Sequence, residues 1–285
     1  MIEPTRILTS EALPPLRECE AELACLKDKI QRERGFNSPF YKDKCLRRRI
    51  AVRMRARGRF GYAEYTQLLD SDPAEYDRLL DTLTINVTKF FRNADMWSAI
   101  EQEVLPSLFD SCERRCRIWS AGCSSGEEPY SISILLRQWA EQHGREAELR
   151  RFAIEGTDID PGCLAAAERG EYPALSLVET PPALRDRWFS SGPPYRLHEE
   201  ARRNVSFRRQ DLISDTPPGE YSLIVCRNVI IYFEREVQER IFQAFYDALV
   251  PGGFLVLGKV ETLMGRTRSL FAPVNPRQRL FRKPA

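Results

Sequence analysis

The sequence is poor in histidine. Its 285 residues include only two, His143 and His198. A catalytic triad that needs histidine is therefore not expected. A metal site is not expected either, because Cys112 and Cys116 have no second pair of ligands at a suitable spacing. The eight cysteines are scattered along the chain, mostly beside apolar residues, which is typical of a reduced compartment.

Long apolar runs are also lacking. No segment approaches the ~18 uninterrupted apolar residues of a transmembrane helix, so no membrane insertion is expected. The first residues, MIEPTR, lack the apolar region of a signal peptide, which indicates a cytoplasmic protein. The 43 basic residues nearly balance the 41 acidic ones, and 42% of the residues are hydrophobic, as in a globular protein of one or two domains. Nothing in the sequence demands more than a monomer.

One strongly basic segment, residues 41–60, reads YKDKCLRRRIAVRMRARGRF and holds nine Lys and Arg residues but a single acid, Asp43. The ordinary interpretation is the solvated face of a helix. Because the acids that usually neutralise such a face at i±4 are otherwise missing, the sequence favours a docking surface for an anionic partner. The candidate docking residues are Arg53, Arg55, Arg57 and Arg59.

The chain changes its pattern near residue 90. Apolar spacing before it predicts helices at 13–31, 41–57, 63–69 and 73–83. Strands are predicted at 117–121, 151–156, 205–208, 222–226 and 253–257, and helices between them at 127–142, 161–169 and 234–249. This alternation predicts an α/β domain with a doubly wound parallel sheet, residues 91–285, preceded by an all-α domain, residues 1–90.

A proline-rich segment at 172–204 interrupts the alternation. It is interpreted as a small inserted β-subdomain that ends in a hairpin around 195–197. The final stretch, 278–283, is predicted to form an extra antiparallel strand at the sheet edge.

Small residues follow the first predicted strand, in the loop Gly122-Cys123-Ser124-Ser125-Gly126. They would let a ligand approach the backbone at the start of the next helix, although a tight turn explains them equally well. Glu127 and Glu128 suit the N-terminus of that helix but would repel a pyrophosphate. The pattern therefore favours a cationic nucleoside without phosphate, such as S-adenosylmethionine (SAM), over NAD or FAD.

Polar residues also follow the other predicted strands. Asp158 stands where an acid commonly accepts hydrogen bonds from ribose hydroxyls. Asp211, followed by Leu212, could receive an adenine amino group, and the turn Arg227-Asn228 follows the fourth strand. Because the carboxyl ends of parallel strands meet at one edge of a sheet, these residues predict a single ligand-binding crevice.

Residues 84–92, TINVTKFFR, combine polar residues with two phenylalanines at the domain junction. A helix cap and a packed linker would account for most of them. That explanation leaves out Arg92, which follows the aromatic residues directly beneath the predicted crevice.

These motifs together resemble the CheR-type chemotaxis receptor methyltransferases, and the resemblance extends from about residue 13 to 283. The matching segments, in order, are TINVTKFFR, WSAGCSSGEEPYS, TDID, QDLI, CRNVIIYF and LVPGGFLVLG. The resemblance implies an all-α domain followed by a Rossmann-like, SAM-dependent methyltransferase domain with a small inserted β-subdomain. It also implies methyl transfer to glutamate side chains in the cytoplasmic helical bundle of chemoreceptors, with S-adenosylhomocysteine as the other product.

The resemblance further implies the roles of individual residues. Arg92 and Tyr232 would face the transferred methyl group. The residues that would contact SAM are Asn86, Thr88, Arg92, Gly122, Glu128, Asp158, Asp211, Leu212, Arg227 and Asn228. Many relatives have Gly-His-Ser-Glu after the fifth strand, whereas this chain has Gly258-Lys259-Val260-Glu261, so no role of that histidine is carried over.

Two other functions remain open at this point. A nucleic-acid methyltransferase could use the basic segment to bind phosphates. Amino-directed enzymes of that kind carry Asn/Asp-Pro-Pro-Tyr after the fourth strand, where this chain has Arg227-Asn228-Val229-Ile230. No nucleic-acid partner is therefore expected. A SAM-binding regulator without catalysis is the other alternative, and the presence of both Arg92 and Tyr232 speaks against it.

Overall fold

The computed structural model describes residues 16–17, 19–84, 88–111, 115–217 and 219–285. The chain divides into two compact units, Met1–Thr84 and Ile85–Ala285. The division lies a few residues before the boundary expected from the sequence. Within the described ranges, no helix is both long and apolar enough to cross a lipid bilayer.

The described part of the first unit contains four α-helices, and they agree with the helical pattern of the sequence. They are α1 (Glu20–Arg34), α2 (Asp43–Ala56), α3 (Tyr62–Ser71) and α4 (Pro73–Thr84). Helix α1 begins later than the predicted residue 13. Leu16, Arg17 and Cys19 are not helical, and residues 13–15 lie outside the described part of the chain. Gly35 ends α1 in a left-handed conformation, φ +69°, that glycine adopts without a steric penalty.

An apolar stripe on each helix builds the core of this unit. On α2 the stripe comprises Leu46, Ile50 and Met54, spaced four residues apart and buried. These side chains share a cluster with residues of the other three helices, among them Leu26 and Leu79. The amphipathic pattern of the basic segment therefore serves to hold α2 in the bundle.

A buried carboxylate corrects one expectation about the basic segment. Glu75 is fully buried, and Arg53 donates two hydrogen bonds to it, of 3.0 and 2.5 Å. The Tyr65 hydroxyl adds a third bond, of 2.8 Å, and burial raises the pKa of that hydroxyl. Arg57 pairs with Asp72 at 2.9 Å. The acids missing at i±4 are thus supplied by α4 and by Asp72, the residue before it, so Arg53 and Arg57 stabilise the unit internally.

Only part of the basic segment faces solvent. Arg47 pairs with Glu20 and Asp43, and Arg49 is buried and donates to the carbonyl of Leu83. Four other basic residues are exposed, and in the described ranges none of them lies within ion-pair distance of a carboxylate. We call these four the basic stripe: Lys44, Arg48, Arg55 and Arg59.

The second unit is built on a seven-stranded sheet in the order β5-β2-β1-β6-β7-β9-β8. The first five strands in that order are parallel, whereas β9 runs antiparallel to both β7 and β8. The strands are β1 (Cys116–Ala121), β2 (Phe152–Asp158), β5 (Val205–Arg209), β6 (Tyr221–Cys226), β7 (Leu249–Leu257), β8 (Ala272–Asn275) and β9 (Leu280–Arg282). The predicted doubly wound α/β class is confirmed.

The described part of this unit contains seven α-helices, of which those at 127–142, 161–169 and 235–248 alternate with the strands as expected. They are α5 (Ala94–Ala99), α6 (Leu105–Ser111), α7 (Glu127–Gln142), α8 (Pro161–Arg169), α9 (Pro182–Trp188), α10 (Glu199–Arg202) and α11 (Arg235–Ala248). The extra strand expected at 278–283 is present as β9, but it is not at the edge. Strand β8 lies outside it and was not predicted, because Pro273 is unfavourable within a strand.

The proline-rich insertion contains a two-stranded antiparallel sheet of β3 (Glu171–Tyr172) and β4 (Tyr195–Arg196). An isolated bridge between Phe189 and Leu197 continues the pairing. Between the two strands lie a short turn, Ala174–Leu177, and α9. The predicted hairpin around 195–197 therefore pairs with the start of the insertion and with Phe189.

The paired Arg53 and the exposed Arg55 should respond differently to truncation. Arg53→Ala would remove the cation that is hydrogen-bonded to the buried Glu75 carboxylate and leave only Arg57, at 3.7 Å, so it should destabilise the protein by about 3 kcal/mol. Arg55→Ala should change stability by no more than about 0.5 kcal/mol. Urea unfolding followed by circular dichroism measures both. Equal effects of the two substitutions would contradict the structural role of Arg53.

Candidate active site

Four parallel strands, β2, β1, β6 and β7, end at one edge of the sheet, and each is followed by a polar side chain. Glu128 follows the loop after β1, Asp158 ends β2, Arg227 follows β6 and Glu261 follows β7. All four are buried, with at most 9% of each residue exposed. Buried charges at this edge need partners, and those partners define the site.

The loop after β1 is held against β2 and β6 with no room for a side chain at its first residue. The N–H groups of Gly122 and Cys123 both donate to the Thr157 carbonyl, at 2.8 and 2.9 Å. Gly122 has φ +79°, and a Cβ added there would lie 2.5 Å from Cγ2 of Val229. Only glycine satisfies both the backbone conformation and the close approach.

Asp158 fixes the shape of the same loop. Its carboxylate accepts hydrogen bonds from the N–H groups of Ser124, at 2.8 Å, and Asp160, at 3.0 Å. Ser124 has a left-handed backbone, φ +50°, which a non-glycine residue adopts only where its surroundings hold it. Burial raises the pKa of Asp158, and the two N–H groups act in the opposite direction. Asp160 caps α8 through the N–H groups of Gly162 and Cys163.

Arg227 and Glu128 form a buried ion pair. Nη1 of Arg227 lies 3.3 Å from Oε2 of Glu128, whose other oxygen accepts a 2.8 Å bond from the Ser120 hydroxyl. Nη2 of Arg227 donates to the Arg92 carbonyl at 2.9 Å and to Oδ1 of Asn93 at 2.7 Å. Burial raises the pKa of Glu128, opposed by Arg227 and Ser120. The pair thus links β1, α7, the end of β6 and the turn at Arg92.

The turn that carries Arg92 is held in an unusual conformation. Its neighbours Phe91 and Asn93 both have left-handed backbones, φ +53° and +65°. Glu179, in the insertion, accepts bonds from the Asn93 N–H at 2.9 Å and from Lys89 at 3.3 Å. Backbone of this kind is concentrated at functional sites. The turn projects the half-buried Arg92 side chain from a fixed main chain.

Glu127, the first acid of α7, has a structural role. Its carboxylate accepts hydrogen bonds from the hydroxyls of Ser125, at 2.7 Å, and Ser176, at 3.0 Å. Burial raises the pKa of Glu127, and both hydroxyls oppose the shift. Of the two adjacent acids, Glu128 lies at the cavity, whereas Glu127 ties the insertion to the loop after β1.

A cavity of about 40 Å³ lies at this edge of the sheet. It brings together six of the residues predicted to contact SAM: Thr88, Arg92, Gly122, Glu128, Arg227 and Asn228. The sequence analysis did not single out four further lining residues: Lys89, Cys123, Ser124 and Val229. Lys89, Cys123 and Val229 each adjoin a predicted residue in the chain, and Ser124 lies two residues from Gly122, so this closeness in sequence was the available signal.

Other predicted site residues lie elsewhere. Asp211 accepts bonds from the Ile213 N–H and the Ser214 hydroxyl of its own turn, at 2.9 and 3.0 Å. Leu212 lines another cavity, of about 520 Å³, beside α11. Tyr232 is half-buried in the turn Ile230–Tyr232 and is not among the lining residues, and Asn86 lies outside the described residues. The roles of these four residues stay predictions.

The charges around the 40 Å³ cavity suit a zwitterion. Lys89, Arg92 and Arg227 supply cations, and Glu128 supplies a carboxylate. Nε of Arg227 is buried and has no hydrogen-bond partner within the described ranges. An amino-acid group carries both an ammonium and a carboxylate, so it can bind to both kinds of side chain. In the same ranges, no cluster of three or more His, Cys, Asp or Glu residues could hold a metal ion.

Comparisons with known proteins agree with this geometry. The family described as CheR methyltransferase, SAM binding domain, matches residues 86–279, and the CheR methyltransferase all-alpha domain matches residues 21–84. The chain is similar to the chemotaxis protein methyltransferase of Listeria innocua, with 34% identity over 236 residues, which cover 82% of this chain and 87% of that protein. It is also similar to chemotaxis protein methyltransferase 2 of Pseudomonas aeruginosa, with 32% identity over 252 residues, 84% of this chain and 85% of that protein.

The two family matches together span both units of the chain and include the loop after β1, the end of β6 and the Arg92 turn. The charges of the cavity residues suit the amino-acid end of SAM, and Gly122 leaves the main chain accessible to a ligand. The chain therefore belongs to the CheR methyltransferase family and is a SAM-dependent methyltransferase.

Proposed function

We propose that this enzyme transfers the methyl group of SAM to glutamate side chains of chemoreceptors, forming methyl esters and S-adenosylhomocysteine. The relatives named above as chemotaxis protein methyltransferases support this substrate. The observation that carries the proposal is that Arg92, a side chain able to bind a substrate carboxylate, lines the same cavity as Glu128 and Arg227. The enzyme would act as a cytoplasmic monomer on the cytoplasmic helical bundle of the receptor.

The cavity residues would hold SAM by its amino-acid end. Glu128 would accept the ammonium group, and the guanidinium of Arg227 would receive the carboxylate. Since 40 Å³ is far below the ~300–1,000 Å³ of a typical ligand pocket, the nucleoside would extend beyond this cavity. Asp158 is the candidate for the ribose hydroxyls. When bound, SAM supplies an electrophilic methyl group on a positively charged sulfur.

The chain needs no general base for this chemistry. A glutamate carboxylate is already ionised at pH 7 and can attack the methyl group directly, which agrees with the scarcity of histidine. The reacting atoms must instead be aligned within about 3–3.5 Å. Arg92 would hold one carboxylate oxygen by a charge-assisted hydrogen bond and leave the other to attack. Tyr232 would hydrogen-bond the substrate.

Labelling of the product tests the proposal. The enzyme is incubated with SAM labelled in its methyl group and with the cytoplasmic fragment of a receptor. We expect label in the receptor fragment that mild alkali releases as methanol, because esters hydrolyse in alkali and N-methyl groups do not. Alkali-stable label, or label transferred to added RNA or DNA, would overturn the glutamate assignment.

Substitution of Arg92 should separate catalysis from binding. Arg92→Ala removes the group that orients the attacking carboxylate, so kcat should fall by more than KM for SAM rises. Tyr232→Phe, which removes a single hydroxyl, should have the same effect but milder. Initial rates at varied SAM concentration measure both. A loss of SAM affinity alone would reassign Arg92 to cofactor binding.

The basic stripe is the proposed docking surface for the receptor. Lys44, Arg48 and Arg55 lie on one face of α2, and Arg59 follows the helix. Val52, with 53% of its surface exposed, stands among them and offers an apolar contact. Arg53 and Arg57 leave the docking set proposed from the sequence, because both are paired within the unit.

Charge reversal tests this surface. Arg48→Glu with Arg55→Glu should raise KM for the receptor fragment several-fold at low salt without changing SAM affinity. The matched control reverses two exposed arginines outside the stripe, Arg32 and Arg78, and should leave KM nearly unchanged. Raising the salt from 0.1 to 1 M shortens the Debye length from ~10 to ~3 Å and should reduce the difference. Equal KM values for the two double variants would contradict docking through the stripe.

A further inference from the structure

Glu261 makes an unusual set of contacts for a buried acid. Only 3% of the residue is exposed. Its carboxylate accepts four backbone hydrogen bonds: from Gly258 at 2.6 Å, Asn228 at 3.1 Å, and Val229 and Ile230 at 3.0 Å each. Three of these donors are consecutive residues of the turn after β6. A single carboxylate thus accepts hydrogen bonds from three consecutive N–H groups of the turn.

The turn needs this acceptor because its residues lie beyond the end of β6, where no neighbouring strand accepts their N–H groups. Strand β6 ends at Cys226, and Asn228 has a left-handed backbone, φ +62°. The N–H groups of residues 228–230 then point to the side where the chain after β7 passes. Without Glu261, the partly buried N–H groups of Asn228 and Val229 and the buried N–H group of Ile230 would lose this acceptor, which is unfavourable.

The lack of a side chain at Gly258 independently supports the close contact between Glu261 and the turn. A Cβ at this residue would lie 2.6 Å from Oε2 of Glu261 and 3.0 Å from the Asn228 nitrogen. Its backbone is not left-handed, so the requirement for glycine comes from space alone. Gly258, the first residue after β7, therefore leaves room for the Glu261 carboxylate to reach the turn.

The turn held by Glu261 reaches both sides of the cavity. Arg227 precedes it and extends to Glu128 and to the Arg92 carbonyl. Asn228 and Val229 line the cavity, and Val229 lies against Gly122 of the loop after β1. A displacement of this turn would therefore change the positions of several lining residues together.

We propose that Glu261 is a positioning residue that sets the affinity for SAM by fixing the main chain of Asn228, Val229 and Ile230. Glu261 is not among the residues that line the cavity, so it would act through the turn. This inference rests on the proposed function, because it requires that SAM binds in the cavity lined by Arg227 and Asn228.

The test compares two acid-to-amide substitutions. Glu261→Gln keeps the size of the side chain but directs an NH₂ donor at N–H donors. Glu155→Gln is the matched control: this partly buried acid accepts bonds from Tyr221 and Arg208 in the same unit, and it does not line the cavity. Affinity for S-adenosylhomocysteine is measured by calorimetry well below the melting temperature of each variant.

We expect Glu261→Gln to weaken binding by at least about tenfold, as for the loss of one hydrogen bond to a buried charged group. KM for SAM should rise by a similar factor, with a smaller change in kcat. Glu155→Gln should lower the melting temperature but leave binding within about twofold of the wild type. A merely structural Glu261 would lower the melting temperature without changing affinity, and that result would overturn the proposal.

Two further variants separate the possible failures. If Glu261→Gln does not fold, Gly258→Ala displaces the same carboxylate and should also weaken binding. If the wild type binds no S-adenosylhomocysteine, the proposed function itself fails. Suppose instead that the wild type binds S-adenosylhomocysteine and that Asp158→Ala binds it more weakly. If the Glu261 and Gly258 variants then bind as tightly as the wild type, only the role of Glu261 is wrong.

Discussion

The guanidinium of Arg227 lies 3.3 Å from the carboxylate of Glu128, and only 4% and 11% of the two side chains are exposed. An uncompensated charge at either position would be costly, so each residue depends on the other. Nη2 of Arg227 donates to the Arg92 carbonyl and to the Asn93 side chain. One cation thus connects Glu128, which lines the cavity, to the turn that presents Arg92.

The other acids at this edge bind the main chain. Asp158 holds Ser124, Glu179 holds Asn93, and Glu261 holds the turn after β6. Ser124 and Asn93 have left-handed backbones, as does Asn228 in that turn. Such conformations persist only where neighbouring groups hold them. The charge available to a ligand is therefore concentrated on a few side chains, while most of the acids keep the loops in place.

Much of this site could be predicted from local patterns. The alternation of strands and helices identified the sheet. The glycines and acids in 119–131 and the polar pair Arg227-Asn228 marked two of the strand ends, because these signals lie within a few residues of each other. Contacts between distant residues could not be predicted. Arg53 and Glu75 are 22 residues apart, and Glu261 is 31 to 33 residues from the turn it holds. Asp211, which the sequence offers for an adenine amino group, also accepts hydrogen bonds within its own turn, and spacing does not reveal such contacts.

A double-mutant cycle on the central pair tests this account most directly. Affinity for S-adenosylhomocysteine is measured for Arg227→Met, Glu128→Gln and the double variant, each shown to be folded by circular dichroism. If the pair acts as a unit, each single substitution weakens binding by at least about tenfold. The double variant should then bind about as well as the weaker single one, which is a coupling of about 1–3 kcal/mol. Losses that simply multiply, or single variants that bind like the wild type, would contradict the account.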